Sequence, residues 1–222
     1  VTIAPEFREN LEAAKYFASA GISVSAGHTN ATYREMANGI PYGFRSVTHL
    51  FNGMSGFAHR EPGAVGAALA LDEFAVELIC DNIHSHPASQ KIAWNAKGPD
   101  KVVLISDMIR PAGLTDGDYE FPDMKISISR SGTELRLPDG TLAGSALTLN
   151  RALKNFTATV GRHLEDTWQC ASLNAAKVLG IENRVGSIEK GKLADLVIMD
   201  TNYNVIRTII EGETVYQMKN EE

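Results

Sequence analysis

The sequence predicts an α/β fold, part of a parallel (β/α)8 barrel, and three observations predict it. Four apolar runs within the first 107 residues end in polar residues suited to metal or proton chemistry: GISVSAGHTN at His28, SVTHLFN at His49, FAVELICDNIH at Asp81 and His84, and KVVLISDM at Asp107. These runs begin about 25 residues apart with helix-like stretches between them, the rhythm of βα units whose strand ends share one mouth. They are also continuously apolar rather than alternating, which suits strands buried on both faces.

The elements follow in order. After Pro5, the residues Phe7, Leu11, Ala14 and Phe17 sit at helical spacing, Pro5 suits the start and Gly21 the end. A strand over 22–25 and a helix over 31–38 come next, then a strand over 44–48. A Gly-rich loop through HREPG leads to the small-residue helix GAVGAALAL. A strand over 74–79, a helix from Pro87 to Trp94 and a strand over 102–106 complete the regular part. Residues 120–141 then alternate polar and apolar, with turn signals at Ser131-Gly132 and Asp139-Gly140, and predict a β-hairpin insertion. Two amphipathic helices over 147–160 and 164–178 follow, and short strands over 196–199, 205–210 and 214–216 form a small β-structure. The expected division is therefore 1–185 for the barrel part and 186–222 for the rest. Four barrel strands are legible where eight and about 250 residues are needed, so the other half is expected upstream of Val1.

Composition narrows the class. With 222 residues, 44% hydrophobic and 22% charged, the chain can bury a sizeable core. A net charge of −6 without any basic run argues against a nucleic-acid surface. Cys80 and Cys170 form no CxxC, so neither a zinc ribbon nor a disulfide framework is suggested. Both fit buried small side chains in a reducing cytoplasm. No run of 18 uncharged apolar residues occurs and no signal peptide is visible. The expected setting is cytoplasmic, without membrane or nucleic-acid partners.

His28 and His49 at equivalent ends of adjacent strands point into one mouth, and neutral imidazole is a favoured ligand for zinc and related divalent ions. A lone histidine is more often a satisfied core or surface residue; the pair raises the odds to about even. Asp107, at the end of VVLIS, is either a helix cap or a general base that moves a proton from water to a leaving amine. His84 suits a ligand or substrate-binding role, and His86, before Pro87, a cap. Asn52 and Arg60 lie on a long loop suited to an anionic substrate, although a single arginine is more often merely solvated. The stretch Leu142-Ala143-Gly144-Ser145 offers backbone N–H groups to an oxygen ligand. His59 and His163 read as surface residues.

Seven segments, VTIAPE, VSAGHTNATY, THLFNGMSGFAHREPG, DNIH, LISD, DGTLAGSALT and VGSIEKGKLADLVIMD, run through nearly the whole chain. Together they resemble the N-acetylglucosamine-6-phosphate deacetylases of the amidohydrolase superfamily. GxIxxGKxADLVI is generic to amidohydrolases, whereas HLFNGM…HREPG points to the sugar-phosphate enzymes. The resemblance implies the C-terminal half of a metal-dependent TIM barrel plus the C-terminal strands of a small β-sandwich. It implies hydrolysis of the N-acetyl group to glucosamine 6-phosphate and acetate, with one divalent ion, zinc by preference over iron, manganese or cobalt. It matches His28 and His49 to metal ligands and Asp107 to the catalytic aspartate. Asn52, Gly53, Arg60, His84, Leu142, Ala143 and Gly144 match substrate-contacting positions. Arg60 is expected to reach the phosphate in a neighbouring subunit, hence a homodimer. Gly53 stands where Ala is usual and Asn82 where Gly is usual. The family's metal-binding glutamate, a carbonyl-polarising histidine and the HxH-type site of the first strand are expected upstream of Val1, so the isolated chain should hold metal weakly and turn over little. The alternatives are an amidohydrolase acting on a cyclic amide, as dihydroorotases and hydantoinases do, and an inactive sugar-phosphate-binding fragment.

Overall fold

The computed structural model describes residues 1–219. Five short strands, β1 (Thr2–Ile3), β2 (Val24–Ala26), β3 (Phe44–Val47), β4 (Ala75–Ile79) and β5 (Val102–Ile105), lie side by side in chain order. Every neighbouring pair is parallel, with Ala26 opposite Val47, Val47 opposite Val76 and Ile79 opposite Ile105. Parallel neighbours need crossovers, here supplied by α1 (Arg8–Ser19), α2 (Tyr33–Gly39), α3 (Gly63–Ala70) and α4 (Pro87–Lys97).

Local signals explain the helices. Thr32 and Glu35 form a reciprocal capping box at the start of α2. His86 caps α4, its ring accepting the Ala88 N–H, and Pro87 occupies the first turn. The GAVGAALA sequence of α3 lets it sit deep, with Gly63 to Ala68 all buried. Phe44, Phe74, Met36, Leu50, Leu78 and Phe156 are among the large side chains fully enclosed between sheet and helices. Trp94 of α4 meets Phe156 edge-on, with ring centroids 5.6 Å apart.

Four expectations need correction. The sheet has five strands rather than four, because Thr2–Ile3, too short to show a pattern, pairs with Ser25 and Ala26. Pro5 does not start α1; it is buried in the preceding turn, and Phe7 takes the cap position. The insertion is a three-stranded antiparallel meander, β6 (Gly117–Phe121), β7 (Met124–Ser129) and β8 (Glu134–Arg136), not a hairpin starting at residue 120. It has its own small core of Ile126, Ile128 and Leu135, against which Ile109, Ala143 and Ala146 pack.

The fourth correction concerns the two helices. The first is α5 (Leu149–Val160). The second is broken into α6 (Leu164–Thr167), a 3-10 turn over Trp168–Ala171, and α7 (Leu173–Leu179). Ser172, at φ −147° and ψ −83°, lies outside helical space. The break lets Asn174 donate to the carbonyls of Pro99 and Val102 at 2.6 and 2.8 Å.

The tail forms a separate antiparallel sheet, β9 (Leu196–Met199), β10 (Val205–Ile210) and β11 (Glu213–Gln217). Met199 and Tyr203 pack on the main core, and Asn150 donates to the Tyr203 carbonyl at 2.9 Å. Among the described residues no helix is long and apolar enough to cross a membrane.

Candidate active site

Each strand from β2 to β5 delivers one chemistry-bearing side chain at the same offset. His28, His49, Asp81 and Asp107 each lie two residues beyond the last residue of their strand. Because the strands are parallel and adjacent, the four residues line one rim of the sheet. Three of them have a positive φ, at +49° for His28, +34° for His49 and +48° for Asp107. That region costs a non-glycine residue of order 1–3 kcal/mol and recurs at functional sites.

His28 and His49 face one another through Nε2, 2.9 Å apart, with ring centroids 4.7 Å apart and planes at 79°. Burial pushes the pKa of His49 down, and His28 beside it adds to the effect, while hydrogen bonding at its own and the Asn52 backbone and the charge of Asp107 oppose it. The neutral ring, which carries a free lone pair, is therefore favoured. Nε2 of His49 faces His28, while its Nδ1 is buried. Two imidazole nitrogens this close fit as two ligands of a divalent ion. They do not make a full set: among the described residues no group of three or more His, Cys, Asp or Glu side chains is placed to hold a metal.

Asp107 is not a helix cap. Its strand continues into a parallel bridge between Met108 and Ser145. The Ser145 N–H donates to the Asp107 carbonyl at 2.8 Å, the Ile109 N–H donates to the Ser145 carbonyl, and the buried Ser145 hydroxyl donates to the Ser106 carbonyl. Gly144, at φ +56°, lies so close that a Cβ there would stand 2.9 Å from the Asp107 carbonyl oxygen and 2.5 Å from Ile109. The Asp107 carboxylate is left at the exposed rim.

His84 packs on Asp81, with Nδ1 2.6 Å from Oδ2. The other oxygen of Asp81 accepts the N–H groups of Ile83 and His84 at 2.9 and 2.8 Å. Asn82, between them, has φ +65°, a left-handed conformation that asparagine tolerates better than most residues with a side chain.

The remaining candidates divide. Gly53 joins the site: its carbonyl accepts the Thr29 N–H, and a Cβ there would stand 3.4 Å from Nδ1 of His28. The Asn52 side chain braces the turn after His49 by donating to the carbonyls of His49 and Leu50. Leu142 bridges to Arg136 in β8, and the Ala143 N–H donates to Leu135, so this particular N–H is not offered to a ligand as the sequence suggested. Arg60 lies in an exposed stretch with His59.

Two carboxylates escaped the sequence reading. Glu6 accepts from the Thr29 hydroxyl and from the Asn30 N–H, so it braces the loop that carries His28. Glu77 is largely enclosed in mid-strand β4; burial pushes its pKa up, the His49 backbone opposes this, and the charge of Asp107 adds to it. A glutamate inside an otherwise apolar run was the available signal for the second. VTIAPE, already singled out as a motif, was the signal for the first.

Comparison with known proteins fits this architecture. The Amidohydrolase family pattern matches residues 4–215, and the chain belongs to that family. Within it, the chain is 43% identical over 219 residues to the N-acetylglucosamine-6-phosphate deacetylase of Bacillus subtilis, covering 99% of this chain and 55% of that protein. It is 36% identical over 217 residues to the N-acetylgalactosamine-6-phosphate deacetylase of a Shewanella species, covering 98% of this chain and 54% of the relative. The crystal structure of the Thermotoga maritima N-acetylglucosamine-6-phosphate deacetylase superposes with a TM-score of 0.91 at 37% identity, over 98% of this chain and 59% of that one. The chain thus spans about half the length of the curated relatives it matches.

Proposed function

We propose that the chain carries part of the active site of a deacetylase acting on N-acetylglucosamine 6-phosphate. The observation that carries this is the convergence of His28, His49 and Asp107 on one rim of a parallel sheet, in a chain 43% identical to an enzyme of that name. The five-stranded sheet is then part of a (β/α)8 barrel over residues 1–185, and 186–222 contributes strands to a small β-sandwich. Cyclic-amide hydrolysis is less favoured, since relatives at 43%, 36% and 35% identity all carry the name of the sugar-phosphate deacetylase. The glucosamine over the galactosamine substrate rests on the higher identity, 43% against 36%.

His28 and His49 would hold a divalent ion, zinc by preference. Such an ion, when bound, supplies Lewis acidity and lowers the pKa of water. The chain's own residues do the rest. Asp107 takes a proton from the attacking water as its oxygen bonds to the acetyl carbon. It then returns that proton to the amide nitrogen as the C–N bond breaks, leaving acetate and the free amine. Gly53 and His84 lie along the same rim, where they contact the sugar phosphate, and Asn52 and the 142–144 loop set the edges of that space. Arg60, exposed on its loop, reaches the phosphate in the other subunit of a homodimer in the cytoplasm.

A chimera tests the reading: residues 1–222 replace the matched segment of the Bacillus subtilis enzyme. It should release acetate faster from the phosphorylated than from the unphosphorylated sugar. Arg60→Ala should erase that preference, a loss of roughly 10- to 100-fold for a charged hydrogen bond. Equal rates on both sugars before mutation would contradict the assignment.

A further inference from the structure

The Asp81–His84 pair has a consequence beyond holding a loop. Asp81 uses its two carboxylate oxygens differently. Oδ1 accepts two backbone N–H groups, from Ile83 and His84, and Oδ2 meets Nδ1 of His84 at 2.6 Å. Backbone N–H groups only donate, and an ionised carboxylate only accepts. The proton of that short contact therefore belongs to Nδ1. Nε2 makes no hydrogen bond among the described residues, in a side chain only 7% exposed.

We propose that Asp81 is a positioning residue that locks His84 in the Nδ1–H tautomer and turns Nε2, the one side-chain polar atom of the pair without a hydrogen-bond partner among the described residues, toward the substrate. Its substrate clause rests on the deacetylase reading above; its tautomer clause does not. Which ring nitrogen carries the proton decides what a histidine offers a ligand, and the partner of the other nitrogen sets it.

The surroundings make the lock stiff. The Ser85 hydroxyl donates to the Ile79 carbonyl at 2.8 Å, tying the far side of the loop to β4. Gln90, fully buried in α4, donates to the Ser85 carbonyl at 3.0 Å and to Oδ1 of Asn82 at 3.2 Å. Asp81 itself stays ionised: burial pushes its pKa up, but hydrogen bonds from the His84 ring and from the His84 and Ile83 backbones outweigh this and hold it below the usual carboxylate range.

The same geometry fixes what Asp81→Asn would do. The two backbone donors demand the amide oxygen at the Oδ1 position, so the NH2 group must face His84. Nδ1 must then accept, and the proton moves to Nε2. The substitution keeps the turn and inverts the tautomer.

Ring nitrogens of the 15N-histidine-labelled 222-residue chain, read by NMR in alkaline buffer where imidazole is neutral, test this. The wild-type chain should show a protonated Nδ1 and a bare Nε2 at His84, and D81N should show the reverse. A wild-type His84 with the proton on Nε2, or a D81N spectrum unchanged from wild type, would overturn the proposal; the wild-type spectrum decides even if D81N fails to fold. Adding N-acetylglucosamine 6-phosphate to the chimera labelled in the same way should move the His84 Nε2 signal, with the apparent Kd roughly tenfold weaker in its D81N variant for a mispaired hydrogen bond. A sugar phosphate that moves His28 and His49 but not His84 overturns the substrate clause. One that moves no ring contradicts the deacetylase reading, while the tautomer is still decided by the ligand-free spectra.

Discussion

His28 and His49 end different strands and are 21 positions apart, yet their Nε2 atoms lie 2.9 Å from one another. Both rings are brought there by backbones in the left-handed region, and the loops that follow them are cross-linked, with Thr29 bridged to Met54. Such an arrangement is unfavourable unless something is shared between the two nitrogens.

Zinc binding tests that sharing. Calorimetric titration of the 222-residue chain should show one site, lost in either His28→Ala or His49→Ala. With two imidazoles and no third described ligand, binding should be weaker than the about 10 kcal/mol reached by complete zinc-finger sites at pH 7. A tight site that survives both substitutions would place the ion elsewhere.

Asp107→Asn removes the proton carrier and leaves the shape. In the chimera, kcat should fall by about 10²–10⁴, the range for general acid–base catalysis, with KM little changed. Steady-state acetate release checks the split.

Gly144→Ala places a methyl group against the Asp107 carbonyl and Ile109 in a backbone with φ +56°. The expected cost is about 1–3 kcal/mol of stability, measured by denaturant unfolding, and a lowered kcat in the chimera because the Asp107 backbone must shift.

The Asp81 pair gives acid sensitivity with a definite sign. Its carboxyl titrates lower when folded than when unfolded, so its contribution is fully present above the unfolded value, near pH 4. It is lost as pH falls through the folded value. Asp81→Asn should flatten the acid limb of a stability-against-pH curve below about pH 4 and leave its slope at neutral pH unchanged.

The two thiols should be inert in the folded chain. Burial pushes the pKa of Cys170 up to about 12, and that of Cys80 further in the same direction. A thiol reagent should label neither in the native chain and both after denaturation.

How much of this was legible in the sequence follows from the physics of each element. The strand that delivers Asp107 is a continuous apolar run, VVLI, whereas the one that delivers His49, FRSV, carries an exposed Arg45; the limits of both fall within a residue or two of expectation. β1 was not legible, because Thr2–Ile3 has no periodicity and becomes a strand only through β2. The break at Ser172 was not legible either: the amphipathic pattern over 164–178 carries through it, and the contacts that go with the break, from Asn174 to Pro99 and Val102, lie more than 70 residues away in sequence. At the site, strand-end position announced His28, His49 and Asp107. Sequence spacing said nothing of how Ser145 clamps Asp107, since that contact spans the meander.

The most direct test of the central claim, that the His28, His49 and Asp107 rim carries amide hydrolysis, is acetate release from N-acetylglucosamine 6-phosphate by the chimera, beside its Asp107→Asn and His49→Ala variants. The account predicts turnover in the parent and near-complete loss in both variants, each still folded. Variants that match their parent would contradict it.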